Sequence, residues 1–307
     1  MNFTHDNHLK YTVGGRLFGL RENPYEKYQV SVGQVDPITY QKGNWLQEQY
    51  RIAELVYQNL GKDLVVMLSG GTDSEIILRS FNHIGVRPRA IFIEFLNGYN
   101  HHELIAAQMI SDDVGIPLEI VQFDIIDFYK GGRAAELAKE IHCYRFGFLM
   151  TYQNILQIGA PAIMGGSVTA CRIPTPEGSR WYCSYAERED MAAFRLHAKY
   201  GIPLIPEWFS YTPESIAYFL EDPIIQWTIR ERFNYKTWTD GMKNEVFQKL
   251  MPELIKKNKK HGFEHLLGFS HEACLKIVKE IPPRLESSLD GIFMEDIQTQ
   301  LFGERKW

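Results

Sequence analysis

Six consecutive residues, SGGTDS at positions 69–74, have the residue types of a loop that binds phosphate. Glycines lack Cβ atoms, so the backbone can approach an anion with its N–H groups turned toward it. Serine and threonine hydroxyls on either side add hydrogen-bond donors. The residues expected to bind a nucleotide with its metal ion are Ser69, Gly70, Gly71, Thr72, Asp73 and Ser74.

Asp73 differs from the other members of this segment, because a carboxylate repels phosphate. It has a role if it binds the Mg²⁺ ion that accompanies a nucleotide, since Mg²⁺ is held by carboxylate and phosphate oxygens. We therefore predict Asp73 as the metal ligand. The segment is neither a Walker A loop nor a G-x-G-x-x-G fingerprint. The alternative is a strand-to-helix turn that uses Gly for shape and Ser or Asp as a cap.

The elements around this segment predict a parallel sheet. DLVVMLS at 63–69 is an apolar run typical of a strand buried on both faces, and a helical pattern follows it. RAIFIEFL at 89–96, PLEIVQFD at 117–124 and APAIMGG at 160–166 repeat the strand signal with helices between them. Ligands of open α/β sheets bind at the carboxyl ends of strands. We expect the backbone near Leu68 and Phe95 to contact the adenosine.

The sequence divides into three parts. Residues 1–43 are predicted as an irregular or hairpin-like extension, 44–180 as the ATP-binding α/β core, and 181–307 as a mostly helical part packed on that core. Residues 171–188, CRIPTPEGSRWYCSYAER, are interpreted as a loop. Its arginines, Arg172, Arg180 and Arg188, either grip phosphate or a substrate carboxylate or are ordinary surface arginines.

The SGGTDS segment resembles the pyrophosphate-binding loop of the PP-loop ATP pyrophosphatase superfamily. The resemblance implies an adenine nucleotide alpha hydrolase-like fold, with ATP and Mg²⁺ as cofactors. Its members cleave ATP between the α and β phosphates, usually adenylating a substrate and releasing pyrophosphate. The loop by itself leaves open asparagine synthetases, lysidine synthetases, thiolating enzymes and NAD or GMP synthetases.

Three further stretches resemble the synthetase domain of asparagine synthetases. One carries Glu103 at the family's acidic position, and one keeps the spacing of Asp190 and Pro203. The third, LMPELIKKNKKHGFEHL at 250–266, places Lys260 where the family has a lysine. The resemblance implies that Lys260 stabilises the charge that develops as the amide forms. A solvated basic helix end is the alternative.

The chain also departs from that family. No acid stands between Met164 and Arg172, where the family has a second metal carboxylate, so Glu187, Glu189 and Asp190 become candidates. Full-length asparagine synthetases begin with a glutaminase whose nucleophile is a cysteine at residue 2, and the first cysteine here is Cys143. We therefore expect nitrogen to come from free ammonia, a substrate amine or a separate subunit.

Bulk properties narrow the class of protein. The 307 residues carry a formal net charge of −5, which gives no general case for nucleic-acid binding but leaves room for a local basic patch. Four cysteines without a C-x-x-C pair give no zinc site and fit a reducing cytoplasm. The sequence shows no signal peptide or membrane-spanning stretch, so we expect a cytoplasmic protein, and a homo-oligomer is compatible with it.

These observations predict an ATP-dependent ligase that forms AMP and pyrophosphate. It would activate a carboxylate or carbonyl oxygen of a small molecule for attack by ammonia or an amine, with Lys260 and Asp73 as catalytic residues. Two alternatives stay open: a PP-loop enzyme that modifies a nucleobase or nucleotide, and a nucleotide-binding protein that has lost turnover.

Overall fold

The computed structural model describes residues 9–13, 16–17, 28–32, 43–141, 143, 146–165, 169–184, 190–205, 208–227, 240–255 and 291–293. Its strands and helices are, in chain order, β1 (Leu9–Val13), β2 (Arg16–Leu17), β3 (Tyr28–Val32), α1 (Trp45–Leu60), β4 (Val65–Met67), α2 (Thr72–His83), β5 (Arg89–Phe95), α3 (His101–Val114), β6 (Leu118–Phe123), α4 (Ile125–Lys130), α5 (Arg133–Ile141), α6 (Phe146–Ile158), β7 (Ala162–Ile163), β8 (Thr169–Thr175), β9 (Gly178–Ser184), α7 (Asp190–Tyr200), β10 (Leu204–Ile205), α8 (Pro213–Glu221), α9 (Pro223–Trp227), α10 (Asp240–Leu250) and β11 (Gly291–Phe293). Short 3₁₀ turns lie at Leu96–Gly98 and Trp208–Ser210.

The central sheet has five parallel strands in the order β10-β7-β4-β5-β6. The chain adds strands in one direction from β4 to β6 and then returns to the other side of β4 for β7 and β10. The order therefore reverses between β4 and β7. In doubly wound sheets a crevice forms at such a reversal, outside the carboxyl ends of the strands.

Helices cover both faces of this sheet. On β4, Val66 packs into one apolar cluster with α1, α2 and α3, whereas Val65 packs into a second cluster with α4 to α7. Both side chains are fully buried. A strand buried on both faces has no polar alternation, which is why the sequence around it is an uninterrupted apolar run. The predicted fold class, a parallel doubly wound α/β sheet with a helical C-terminal part, is confirmed.

Several strands were missed. The interpretation of residues 171–188 as a loop is wrong for 171–184, because β8 and β9 form an antiparallel hairpin in which Arg172 pairs with Trp181, and residues 185–188 lie outside the described residues. Pro174 is tolerated there since β8 is the edge of its sheet, in the order β11-β9-β8. Strands β10 and β11 were also missed: β10 adds a fifth strand to the core beside β7, and β11 pairs with β9. The proposed domain boundaries stay predictions.

Helix α10 is held against α1 and the turn Trp208–Ser210 by aromatic packing. The ring of Phe247 lies 5.3 Å from that of Trp45 and 5.5 Å from that of Phe209, and all three side chains are buried. Just after the helix, the N–H of Ile255 donates to Oε1 of the buried Glu75 on α2, at 2.9 Å. These contacts fix α10 beside the start of α2. Within the described residues, no helix combines the length and apolarity needed to cross a bilayer.

Candidate functional site

The loop 69–74 joins β4 to α2 at the point where the strand order reverses. Strand β4 ends at Met67 and α2 begins at Thr72, so the glycines lie between a buried strand and a helix N-terminus. On the other side of the reversal, Gly165 lies just after β7. Its backbone is so near the loop that an added Cβ would lie 3.1 Å from Cβ of Asp73. The loop is therefore enclosed between the carboxyl ends of two neighbouring parallel strands.

Gly70 has a backbone conformation and a packing that exclude other residues. Its φ of +71° lies in the left-handed region, and an added Cβ would meet the backbone oxygen of Glu103 at 2.6 Å. The loop can therefore pass directly against the first turn of α3 only because position 70 lacks a side chain.

The first turn of α2 presents N–H groups that have no acceptor inside the helix. Its N-cap residue is Gly71, which supplies no side-chain cap. The hydroxyl of Ser74 donates to the carbonyl oxygen of Gly71 at 3.0 Å and lies 3.3 Å from the hydroxyl of Ser69, so both serines border the loop. Uncapped N–H groups at the positive end of a helix dipole form a ready site for an anion.

Asp73 has two oxygens in different surroundings. Oδ2 accepts a hydrogen bond from the ammonium of Lys243 on α10, and the two side chains are 23% and 13% exposed, respectively. Oδ1 is buried and has no hydrogen-bond partner within the part of the chain that the structure describes. A buried carboxylate oxygen without a partner is costly unless a ligand satisfies it. A hard cation such as Mg²⁺ fits this oxygen, because Mg²⁺ takes one or two carboxylates and completes its shell with water and phosphate oxygens.

A second contact joins α10 to the loop beside the first. The hydroxyl of Thr72 donates to Oδ1 of Asn244 at 2.5 Å. Two consecutive loop residues are thus bonded to two consecutive residues of α10. Sequence reasoning missed Lys243 and Asn244, because they lie about 170 residues from the loop in a helix without a motif. A lysine and an asparagine are ordinary residues of an amphipathic helix, so nothing in the neighbouring sequence indicates that they contact the loop.

A cleft of about 340 Å³, measured out to its open mouth, lies between the ends of β4 and β5. The lining is mostly apolar, with polar groups from the loop, α3 and α6: Met67, Leu68, Ser69, Ile91, Phe92, Ile93, Asn100, Glu103, Met150 and Thr151. The cleft therefore continues from the phosphate loop along the edge of the sheet.

Asn100 shapes the wall of this cleft. It is buried, accepts from the N–H of Phe95 at 2.8 Å and donates to the carbonyl oxygen of Ile93 at 2.8 Å. Of the two residues predicted to contact the adenosine, only one lines this cleft. Leu68 lines the cleft, whereas Phe95 is not among its lining residues and its N–H is already occupied by Asn100.

Most of the remaining predicted site residues lie outside the part of the chain that the structure describes. Lys260, Glu187 and Glu189 lie outside the described residues, and Asp190 is the first residue of α7. Within the described residues no group of three or more His, Cys, Asp or Glu side chains could hold a metal ion. Of the predicted set, the structure brings together residues 69–74 and Leu68 at one edge of the sheet.

No protein-family model and no curated protein matches this chain. Among solved structures, the chain is similar to a predicted subunit of tRNA methyltransferase from Methanocaldococcus jannaschii, with 16% identity, 75% of this chain and 94% of that chain covered, and a TM-score of 0.34. It is also similar to NMN synthetase from Francisella tularensis, with 12% identity, 80% of this chain and 96% of that chain covered, and a TM-score of 0.32. A third similar structure is NH3-dependent NAD synthetase from Campylobacter jejuni, with 14% identity, 80% of this chain and 100% of that chain covered, and a TM-score of 0.31. Likenesses this distant carry no conclusion about what the chain binds.

Proposed function

We propose that this protein binds ATP with its phosphates on the loop 69–74 and cleaves it between the α and β phosphates, giving AMP and pyrophosphate. The observation that carries this proposal is the position of the loop. Glycines, hydroxyls and an uncapped helix N-terminus meet at the reversal of strand order, where doubly wound sheets bind their ligands. The mostly apolar cleft beside Ser69 is where the adenosine would lie.

In this arrangement the chain's own groups act on the leaving phosphates. The first-turn N–H groups of α2 and the hydroxyls of Ser69 and Ser74 bind the pyrophosphate, and Asp73 Oδ1 provides the ligand for Mg²⁺. When bound, the ion neutralises charge on the leaving oxygens. The first-turn N–H groups are fixed before the reaction, so they stabilise the developing charge without reorganising, whereas the hydroxyl of Ser74 must first turn away from the carbonyl oxygen of Gly71.

The second half of the proposed reaction is formation of a C–N bond. A small-molecule substrate supplies a carboxylate or carbonyl oxygen that attacks the α phosphorus, and the bond from the α phosphorus to the bridging oxygen breaks. Ammonia or an amine then attacks the activated carbon, and AMP leaves. This half is supported by the sequence resemblance to asparagine synthetases, in which Lys260 would offset the charge on the transition state. A separate subunit could supply the nitrogen.

A second candidate function is nucleotide binding without turnover. One observation favours it: among the described residues, no group of three or more His, Cys, Asp or Glu side chains could hold a metal ion. A loop without such a group can hold a nucleotide by its phosphates and yet lack part of the charge compensation that bond cleavage requires.

ATP labelled in the α or the γ phosphate separates these functions. The protein is incubated with Mg²⁺, ammonium and a panel of carboxylates, nucleosides and nucleobases, and the products are resolved by thin-layer chromatography. AMP with pyrophosphate supports the proposal, and the substrate class that stimulates it distinguishes ligation from nucleobase modification. ADP with phosphate contradicts it. Binding of ATP with no product supports the second candidate.

Asp73→Ala should abolish turnover if Asp73 holds the metal. The matched control is Asp63→Ala, because Asp63 is an exposed residue just before the opposite end of β4. The control should keep wild-type turnover. An Asp73→Ala variant that remains active removes the metal assignment.

A further inference from the structure

Lys243 is more enclosed than a surface lysine and has a single ionic contact within the described residues, the carboxylate of Asp73. Its ammonium also lies 6.0 Å from the centre of the Phe247 ring. Next to it, Asn244 accepts from the hydroxyl of Thr72. We call these two contacts, Lys243–Asp73 and Asn244–Thr72, the α10 latch.

The α10 latch does not hold α10 in place by itself. Phe247 packs between Trp45 and Phe209, and the backbone after the helix is bonded to Glu75. The helix is therefore anchored by its apolar side, and the long side chain of Lys243 can leave Asp73 without moving the backbone. An ion pair of two partly buried groups adds little net stability, because their desolvation offsets their attraction. Stability alone thus gives weak grounds for placing a lysine here.

The ammonium of Lys243 and a divalent cation compete for the same carboxylate. With Lys243 in contact with Oδ2, a cation on Oδ1 would face a positive charge within a few ångströms, and partial burial leaves that repulsion weakly screened. A polyphosphate changes this balance. Its oxygens offer the ammonium an alternative acceptor of higher charge, and the flexible lysine stem can reach it.

We propose that the α10 latch keeps divalent cations off Asp73 until a polyphosphate draws Lys243 away. Lys243 is then a positioning residue that makes metal binding conditional on the nucleotide. This inference rests on the proposed function for the identity of the polyphosphate, ATP. The part that concerns the metal alone rests only on Lys243 and Asp73.

The test measures Mn²⁺ binding by electron paramagnetic resonance, which reports the free ion directly. Wild-type protein without nucleotide should show no site tied to Asp73 below millimolar Mn²⁺. Lys243→Met should bind Mn²⁺ without nucleotide at least tenfold more tightly than wild type, and Asp73→Asn in the same chain should remove the new site. Lys249→Met is the matched control, because Lys249 lies on the same helix, is 40% exposed and pairs with Glu245. It should behave as wild type.

Two outcomes overturn the inference. One is a wild-type protein that binds Mn²⁺ at Asp73 as tightly without nucleotide as with it. The other is a folded Lys243→Met variant that gains no site. Should Lys243→Met fail to fold by circular dichroism, Lys243→Gln replaces it, and the wild-type measurement decides the matter independently.

The same instrument separates this inference from the proposed function. With α,β-methylene-ATP present, wild type should take up Mn²⁺ at Asp73. If it does not, the proposed function fails, whereas a site gained in Lys243→Met without nucleotide still supports exclusion by the lysine. Inorganic tripolyphosphate distinguishes a response to phosphates from one that needs the adenosine.

Discussion

Replacement of Gly70 by alanine tests whether the loop owes its position to the absence of a side chain. Two costs are expected at this position. A φ of +71° places alanine in the left-handed region, which costs about 1–2 kcal/mol, partly offset by about 0.4–1 kcal/mol because alanine restricts the unfolded chain. The new Cβ would also lie 2.6 Å from the carbonyl oxygen of Glu103, which belongs to the backbone of α3 and cannot rotate away.

Gly85 provides a control for the first cost alone. Its φ is +75°, and nothing lies within 4 Å of an added Cβ. Gly85→Ala should therefore lose about 0–1.6 kcal/mol, the net conformational term. Gly70→Ala carries the same term and the steric one, which for an overpacked site is about 1–3 kcal/mol. The expected difference between the two variants is thus about 1–3 kcal/mol.

Urea unfolding of both variants, followed by circular dichroism, measures this difference as a shift in midpoint at a common slope. Titration with ATP adds a functional readout, because the displaced loop should bind phosphate more weakly in Gly70→Ala and normally in Gly85→Ala. If the two variants have the same free energy of unfolding within about 0.5 kcal/mol, the close approach of the loop to α3 is not what requires glycine.

Two further predictions concern buried polar groups. Asn100→Ala should lower the free energy of unfolding by about 2–4 kcal/mol, because one N–H and one carbonyl oxygen at the end of β5 lose their partners. A urea midpoint for Asn100→Ala equal to that of the wild type would contradict this account. Burial lowers the pKa of His197 below its usual 6.5, against the opposing effect of its hydrogen bond to the carbonyl oxygen of Ile202. The folded state then binds fewer protons than the unfolded state just below pH 6.5, so stability should be full above that pH and fall as the pH drops through the folded pKa. His197→Gln should flatten that slope in thermal melts, and an unchanged slope would contradict the assignment.

The central strands could be predicted from the sequence because burial on both faces leaves an apolar run. Strand β10 could not, since its two residues, Leu204–Ile205, lie between prolines and are stabilised by pairing with β7. The β8–β9 hairpin was hidden for a similar reason. Its proline and glycine residues are typical of loops. The two segments become strands because they pair with each other, and proline is tolerated because β8 is an edge strand.

The candidate site divides in the same way. Residues 69–74 are contiguous, so their composition alone predicts a phosphate-binding loop. Lys243 and Asn244 become part of the site only through packing, because the anchor that places them is Phe247 in an aromatic cluster far along the chain. A lysine in an amphipathic helix is most often solvated, and no spacing rule connects it to Asp73. The local sequence pattern predicts the loop 69–74 as an anion site, and only the tertiary structure shows that the ammonium of Lys243 lies beside it.

Asp73 would be favoured at its position even without a ligand, since an acid in the first turn of a helix interacts well with the helix dipole. That explanation covers the charge but not the geometry. A carboxylate kept only for the dipole would be exposed to water or would cap an N–H group. Here one oxygen is buried without a partner among the described residues, and the other is taken by an ammonium from a distant helix. Both features cost free energy in the unliganded protein. A ligand that supplies a cation to the first oxygen and an anion to Lys243 removes both costs at once, and a metal–polyphosphate has this pair of charges.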